Sequence, residues 1–266
     1  MVPTAHVKDV DLYFEEAGDG PQVLFLNGSG ATLVTAAPLL ERLRSHLRVL
    51  AFDARGLGRS GPIDTPYTMA DLAADGLALL DHAGWATGRV VGISFGGMVA
   101  QELAVTAPDR VERLALLCTS AGGVGGSSYP LHELAALSAE ERAATSLRLV
   151  DTRFSPQWFA DHPLDDAIIR ARAAAAEAPK SDEQLTGEQL QLAARAAHDV
   201  SSRLDRITCP TLVACGRYDG IAPVKNSEWM AAHIPDAKLE VFEGGHMFFI
   251  QDKTAFPRVV EFLRET

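Results

Sequence analysis

A chain of 266 residues, 47% apolar and 22% charged, has the composition of an ordinary soluble globular protein with enough apolar material for one large α/β unit. Its formal net charge of -11 argues against a nucleic-acid binder and against docking on an anionic membrane, both of which call for a basic face. No apolar run approaches the ~18 residues of a membrane span, and the N-terminus lacks the basic-then-apolar pattern of a secretory signal, so the expectation is a cytoplasmic protein.

In chain order, residues 6–18 read as an alternating strand pair, and Gln22 to Gly30 as a short apolar strand ending in a glycine loop. Leu33 to His46 reads as helix, and Arg48 onward as a strand running into the glycine-rich turn "FDARGLGRSG". Met69 to Ala83 carries Leu72, Leu77 and Leu80 at helical spacing. The apolar run Val90 to Ile93 predicts a buried strand, and Phe95 onward a helix that stops near Pro108. Arg110 to Ser120 predicts one more buried strand. Short apolar runs separated by amphipathic helices indicate a parallel sheet covered on both faces.

The rhythm then breaks. No strand is predicted from Gly122 to about Arg206. Ser138 and Glu141 form a capping box, Ser155-Pro156 opens another helix, and two further helical stretches follow, the first running through Ala178. Strands resume at Cys209 and near Ala237, with helices over Val224–His233 and from Thr254. The division expected is a core of residues 1–121 and 207–266 with a helical cap over 122–206.

Cys118, Cys209 and Cys215 are the three cysteines. The last two share a strand, where six residues span roughly 20 Å, too far for a disulfide. Free thiols suit a reducing compartment. No Cys/His spacing suggests a metal site.

The chemistry is carried by Gly92-Ile93-Ser94-Phe95-Gly96, a G-x-S-x-G motif between a buried strand and a helix. A serine on so tight a corner projects from the carboxyl end of the sheet, over a helix N-terminus. A serine hydroxyl needs a base, and the base an orienter. His246 is the best placed histidine, in a glycine loop between the last strand and the last helix. Asp219 lies just past a buried strand, whereas Asp205 precedes it on the wrong side of the sheet. Asp53 and Arg55 read as loop ties rather than as participants in the chemistry. The order is Ser94, Asp219, His246.

That order, the "NGSG" loop after an early strand and the "FDARGLGRSG" segment after the next resemble the α/β-hydrolases, over about Val7 to Leu263. The stretches around Ser94 and from Gly216 to Asp252 most resemble 3-oxoadipate enol-lactonase-like hydrolases. The resemblance implies a mostly parallel eight-stranded sheet with helices on both faces and a helical cap. It implies an oxyanion hole from the N–H groups of Ser29 and Phe95, with Gly28 permitting the turn. Asn27 stands where many relatives have histidine. Phe154, Trp158 and Phe159, at near-helical spacing in the insertion, are candidates for a substrate pocket or for the interior of the cap; Phe248 and Phe249 read as packing.

The expected activity is two-step acyl transfer on a carboxylic ester or lactone of a small molecule, without metal or organic cofactor. Carbon–carbon bond hydrolysis, cofactor-free haloperoxidase chemistry and slow-turnover signal binding use the same fold and stay open, as does homo-oligomerisation.

Overall fold

The computed structural model describes residues 3–176 and 180–265. Among them, eight strands form one sheet: β1 (Thr4–Val7), β2 (Val10–Ala17), β3 (Gln22–Leu26), β4 (Arg48–Phe52), β5 (Gly88–Ile93), β6 (Val111–Leu117), β7 (Thr211–Gly216) and β8 (Ala237–Phe242). Their order is β1-β2-β4-β3-β5-β6-β7-β8. β1 pairs antiparallel with β2 and β2 with β4; the other pairs are parallel.

The helices are α1 (Leu33–Arg44), α2 (Met69–His82), α3 (Phe95–Thr106), α4 (Ala139–Val150), α5 (Pro156–Asp161), α6 (Pro163–Ala176), α7 (Asp182–Ala196), α8 (Val224–His233), α9 (Phe248–Gln251) and α10 (Ala255–Arg264). The expected helix through Ala178 is borne out to Ala176; Glu177 and Ala178 lie outside the described residues. The short α9 was not expected: Phe248 and Phe249 pack as anticipated, but from a helical turn of their own.

The sheet is buried on both faces because neighbouring strand residues point opposite ways. Leu24, Leu26, Leu50, Val90, Leu114 and Val213 join residues of α2, α3 and α8 in one apolar cluster. Val23, Phe25, Val49, Val91, Ala115 and Leu212 join residues of α1 and α10 in the other. Such strands read as continuous apolar runs, which is why they were legible.

Between β6 and β7 no described residue adds a strand; the segment carries helices α4 to α7 joined by irregular stretches, and an isolated bridge between Gly122 and Asp199. Two of its helix starts were anticipated locally, at Ser138 and at Ser155; the third, at Ser181, was not. Ser138 and Glu141 do form a reciprocal capping box, the Ser155 side chain caps α5 with Pro156 at the first position, and Ser181 and Gln184 box α7. No described helix is long and apolar enough to cross a membrane.

Candidate active site

Ser94 sits between β5 and α3 with φ 55° and ψ -114°, a backbone conformation that a residue with a Cβ rarely adopts. Its N–H donates to the Leu117 carbonyl (2.8 Å), and its own carbonyl accepts from Thr119 Oγ1 (2.7 Å) and the Gly97 N–H (2.9 Å). The neighbouring strand therefore holds the corner from both sides. A Cβ on Gly96 would run into the carbonyl of Leu26, so only glycine lets α3 start so close to β3.

One hydrogen-bonded chain leads away from the Ser94 hydroxyl. His246 Nε2 lies 3.0 Å from Ser94 Oγ, and His246 Nδ1 lies 2.8 Å from Asp219 Oδ2. The other oxygen of Asp219 accepts the N–H groups of Ile221 and Ala222, both at 2.8 Å. All three side chains are buried. One Asp219 oxygen is filled by two backbone donors, and the other accepts from the His246 Nδ1–H. Nε2 is then left as an acceptor toward Ser94. This is the arrangement that can take a hydroxyl proton while the oxygen attacks a carbonyl.

The loop after β3 presents donors to the same place. The Gly28 N–H is taken by Asn27 Oδ1 (2.9 Å) and the Gly30 N–H by Gln191 Oε1 of α7 (2.6 Å), while Asn27 Nδ2 donates to the Thr32 carbonyl (3.3 Å). Among the described residues this leaves Ser29 with both its N–H and its buried hydroxyl uncommitted. The Phe95 N–H opens α3, where no carbonyl one turn earlier is available. Asn27 thus fastens the loop from within. A small cavity beneath it is lined by Asn27, Gly28, Phe52, Phe95, Val99 and Gln191.

Phe154, Trp158 and Phe159 pack on one another, with ring centroids 6.4 Å (Phe154–Trp158) and 4.9 Å (Phe154–Phe159) apart; Trp158 also stacks on His162 and donates to Asp165. None of the three lines that cavity. Asp53 and Arg55 tie loops together: Asp53 accepts the N–H groups of Leu33 and Arg59, and Arg55 forms a two-pronged pair with Asp75 at 2.6 and 2.7 Å. Burial nevertheless pushes both carboxyls above the usual carboxylate range. Donor atoms of Cys118, Asp219 and His246 lie within 4.8 Å of one another. A metal ion there would have to displace Ser94 or Asp219 from the imidazole.

Sequence reasoning missed three contributors. Gln191 reaches the loop after β3 from 161 residues away. Arg195, one turn further along α7, is buried. Asp151, fully buried just past α4, accepts from Gln251 Nε2 (3.0 Å), and Gln251 Oε1 in turn accepts the Gly245 N–H (2.7 Å) beside His246. The capping box at Ser138 located α4 but not its buried polar end, and the matching box at Ser181 and Gln184, a signal present in the sequence, would have located the start of α7 but not its buried face.

A model of the alpha/beta hydrolase fold matches residues 21–253. The chain is 32% identical over 260 residues to 2-hydroxymuconate semialdehyde hydrolase of Pseudomonas putida, covering 94% of this chain and 89% of that one. It is 28% identical over 261 residues to 3-oxoadipate enol-lactonase 2 of Acinetobacter baylyi, covering 97% and 94%. The crystal structure of the enol-lactonase from Burkholderia xenovorans LB400 superposes with a TM-score of 0.79 at 27% identity, covering 99% of this chain and all of that one.

Proposed function

The chain belongs to the alpha/beta hydrolase fold family and is a hydrolase, and from that premise we propose that it cleaves a carboxylic ester or lactone of a small molecule through an acyl-enzyme on Ser94. The observation that carries this reading is the continuous chain Ser94–His246–Asp219, at 3.0 and 2.8 Å, beneath the Ser29 and Phe95 N–H groups. His246 takes the Ser94 proton as the hydroxyl attacks. Asp219 holds the imidazole tautomer and stabilises the imidazolium. Ser29 and Phe95 receive the negative charge that develops on the carbonyl oxygen, each on the order of 3 kcal/mol by analogy with other oxyanion holes. His246 then passes its proton to the leaving alcohol and activates the water that releases the acid.

Residues 122–206 are, in this reading, a cap. Its helix α7 places Gln191 against the oxyanion loop and excludes water from the acyl group. The similarity to 2-hydroxymuconate semialdehyde hydrolase supports a second reading, carbon–carbon bond hydrolysis at the same residues. Product analysis separates the two, since ester cleavage releases an alcohol or opens a ring at oxygen. A fluorophosphonate probe tests the shared core. One adduct on the peptide holding Ser94 is expected. Undiminished labelling, or hydrolysis near the wild-type rate, in Ser94→Ala would remove the nucleophile from Ser94.

A further inference from the structure

Residues 28–31 include the proposed oxyanion donor Ser29 and form a turn closed mostly on itself. The Ala31 N–H donates to the Gly28 carbonyl (3.2 Å), and the Asn27 side chain bonds the loop at Gly28 and at Thr32. Gly30 stands third in that turn with φ 66°, the left-handed conformation that a type II turn demands there. The Gly30 N–H donates to Gln191 Oε1 at 2.6 Å. Among the described residues this is the one hydrogen bond from residues 28–31 to a group outside residues 27–32.

Gln191 belongs to the insertion. It is 2% exposed, on the face of α7 that also buries Gly187 and Ala194. Gly187, one turn earlier, lies against the turn after β4, where an added Cβ would run into the Gly56 carbonyl. One turn of α7 is therefore seated on the loop after β4, and the next reaches the loop after β3. Gln191 also lines the cavity that Asn27, Gly28 and Phe95 line, so it stands beside both proposed oxyanion donors. Glycine tolerates either sign of φ, so the Ser29–Gly30 peptide has two orientations open to it, those of a type I and a type II turn. The Gln191 oxygen selects one. The flipped peptide would turn the Gly30 N–H away and aim the Ser29 carbonyl at that oxygen.

We propose that Gln191 is a positioning residue for the oxyanion donor Ser29, which is aligned only while α7 is seated on the core. This rests on the reading of Ser94 as nucleophile and Ser29 as its oxyanion donor. The insertion then does more than cover the site: its seating sets the turn that receives the developing charge.

Gln191→Met keeps the length of the side chain and removes the amide acceptor. Gly30 is itself exposed, so water can take its N–H and the variant should fold. With p-nitrophenyl acetate and butyrate, kcat should fall about tenfold, short of the 10²–10³ that loss of a whole oxyanion donor costs. Acylation and deacylation both pass through an oxyanion, so KM should stay within about twofold. An alkyl trifluoromethyl ketone accepts the Ser94 oxygen at its carbonyl carbon, passes the Ser94 proton to His246 and places its own oxygen as the anion. Its inhibition constant should rise by the same factor as kcat falls. Gly187→Ala, which lifts α7 at Gly56 and leaves Gln191 in place, should lower kcat on its own and add little to Gln191→Met, since both act through one bond. Unchanged kcat and ketone affinity in folded Gln191→Met would overturn the proposal. A raised KM at constant kcat would overturn it as well, because that marks a substrate contact. If Gln191→Met does not fold, Gly187→Ala with unaltered kcat and ketone affinity overturns it instead. Fluorophosphonate labelling keeps the two readings apart. Ser94 labelled, with kcat unaltered in Gln191→Met, removes the role of Gln191 alone; no label on Ser94 removes both.

Discussion

At Ser94 the chain accepts a strained backbone to present one hydroxyl. A non-glycine residue at φ 55° and ψ -114° costs on the order of 1–3 kcal/mol. Glycine lacks the Cβ that makes the conformation costly. Ser94→Gly should therefore unfold at higher denaturant than Ser94→Ala, by about 1 kcal/mol after the glycine's extra unfolded-state entropy. Both variants lack the hydroxyl, so the lost hydrogen bond to His246 cancels in the comparison. Equal midpoints in urea would mean that the corner carries no strain. Asp219 makes a different case, because its role in the proposed triad is to fix a tautomer. Asp219→Asn keeps the volume and replaces the carboxylate that accepts the His246 Nδ1–H. The fold should survive and kcat fall by about 10⁴, as in the well-studied serine triad. A larger loss in a folded Asp53→Asn enzyme would move the acid, although Asp53 is already committed to the N–H groups of Leu33 and Arg59.

At the scale of elements, the end of α4 is seated on both loops that carry the proposed acid and base. The Leu149 carbonyl accepts the Gly220 N–H (3.1 Å), the Val150 carbonyl accepts the His246 N–H (2.6 Å), and the Thr152 N–H donates to Tyr218 (2.9 Å). Gly245 makes this seat possible, since a Cβ there would run into the Val150 carbonyl and the Asp151 backbone. Gly245→Ala should push α4 away from the histidine loop and displace His246 by a fraction of an ångström. Misplacement on the ångström scale costs about 10²-fold, so kcat should fall toward that value, with Ser94 labelling by a small fluorophosphonate slowed in step. An unchanged kcat in a folded variant would show that the seat leaves the imidazole untouched. Nothing in the local sequence announces this seat. The strands were legible because a strand buried on both faces is an uninterrupted apolar run, as in Val23 to Leu26. The Ser94 corner was legible because its motif lies between such a run and a helix. The buried face of α7 was not. Gln191 and Arg195 look like a solvent face to any reading that weights apolar periodicity, and their partners Gly30 and Tyr129 are 161 and 66 residues away. Phe154, Trp158 and Phe159 carried two readings because aromatic spacing alone does not say whether rings face a substrate or one another; the structure shows them packed together.

For the molecule as a whole, the segment after α7 returns to the sheet beside the segment that left it after β6. Val200 donates to the Ala121 carbonyl (2.9 Å), Gly122 bridges to Asp199, and Arg203 holds Glu102 of α3 with bonds of 2.8 and 2.7 Å. His198 is buried in this seam, and neither of its ring nitrogens makes a hydrogen bond among the described residues. Burial lowers its pKa to about 4, against the opposing pull of Glu102, the Ser120 main chain and Asp199; the charge of Arg203 acts in the same direction as burial. The consequence for stability follows from proton counts. Between pH 6.5 and 4 the unfolded chain carries a proton on His198 that the folded chain excludes, so stability rises with pH across that window. The contribution is complete above the unfolded value near 6.5 and is lost on acidification until both states are protonated below about 4. From pH 7.5 to pH 5 the loss is about 2 kcal/mol. Urea unfolding of the wild type and of His198→Gln at these two pH values isolates it, because other groups that titrate in this range are common to both proteins. The wild type should lose about 2 kcal/mol more than the variant over the interval. Equal losses would mean that His198 is protonated in the folded protein, and that the seam tolerates the charge beside Glu102.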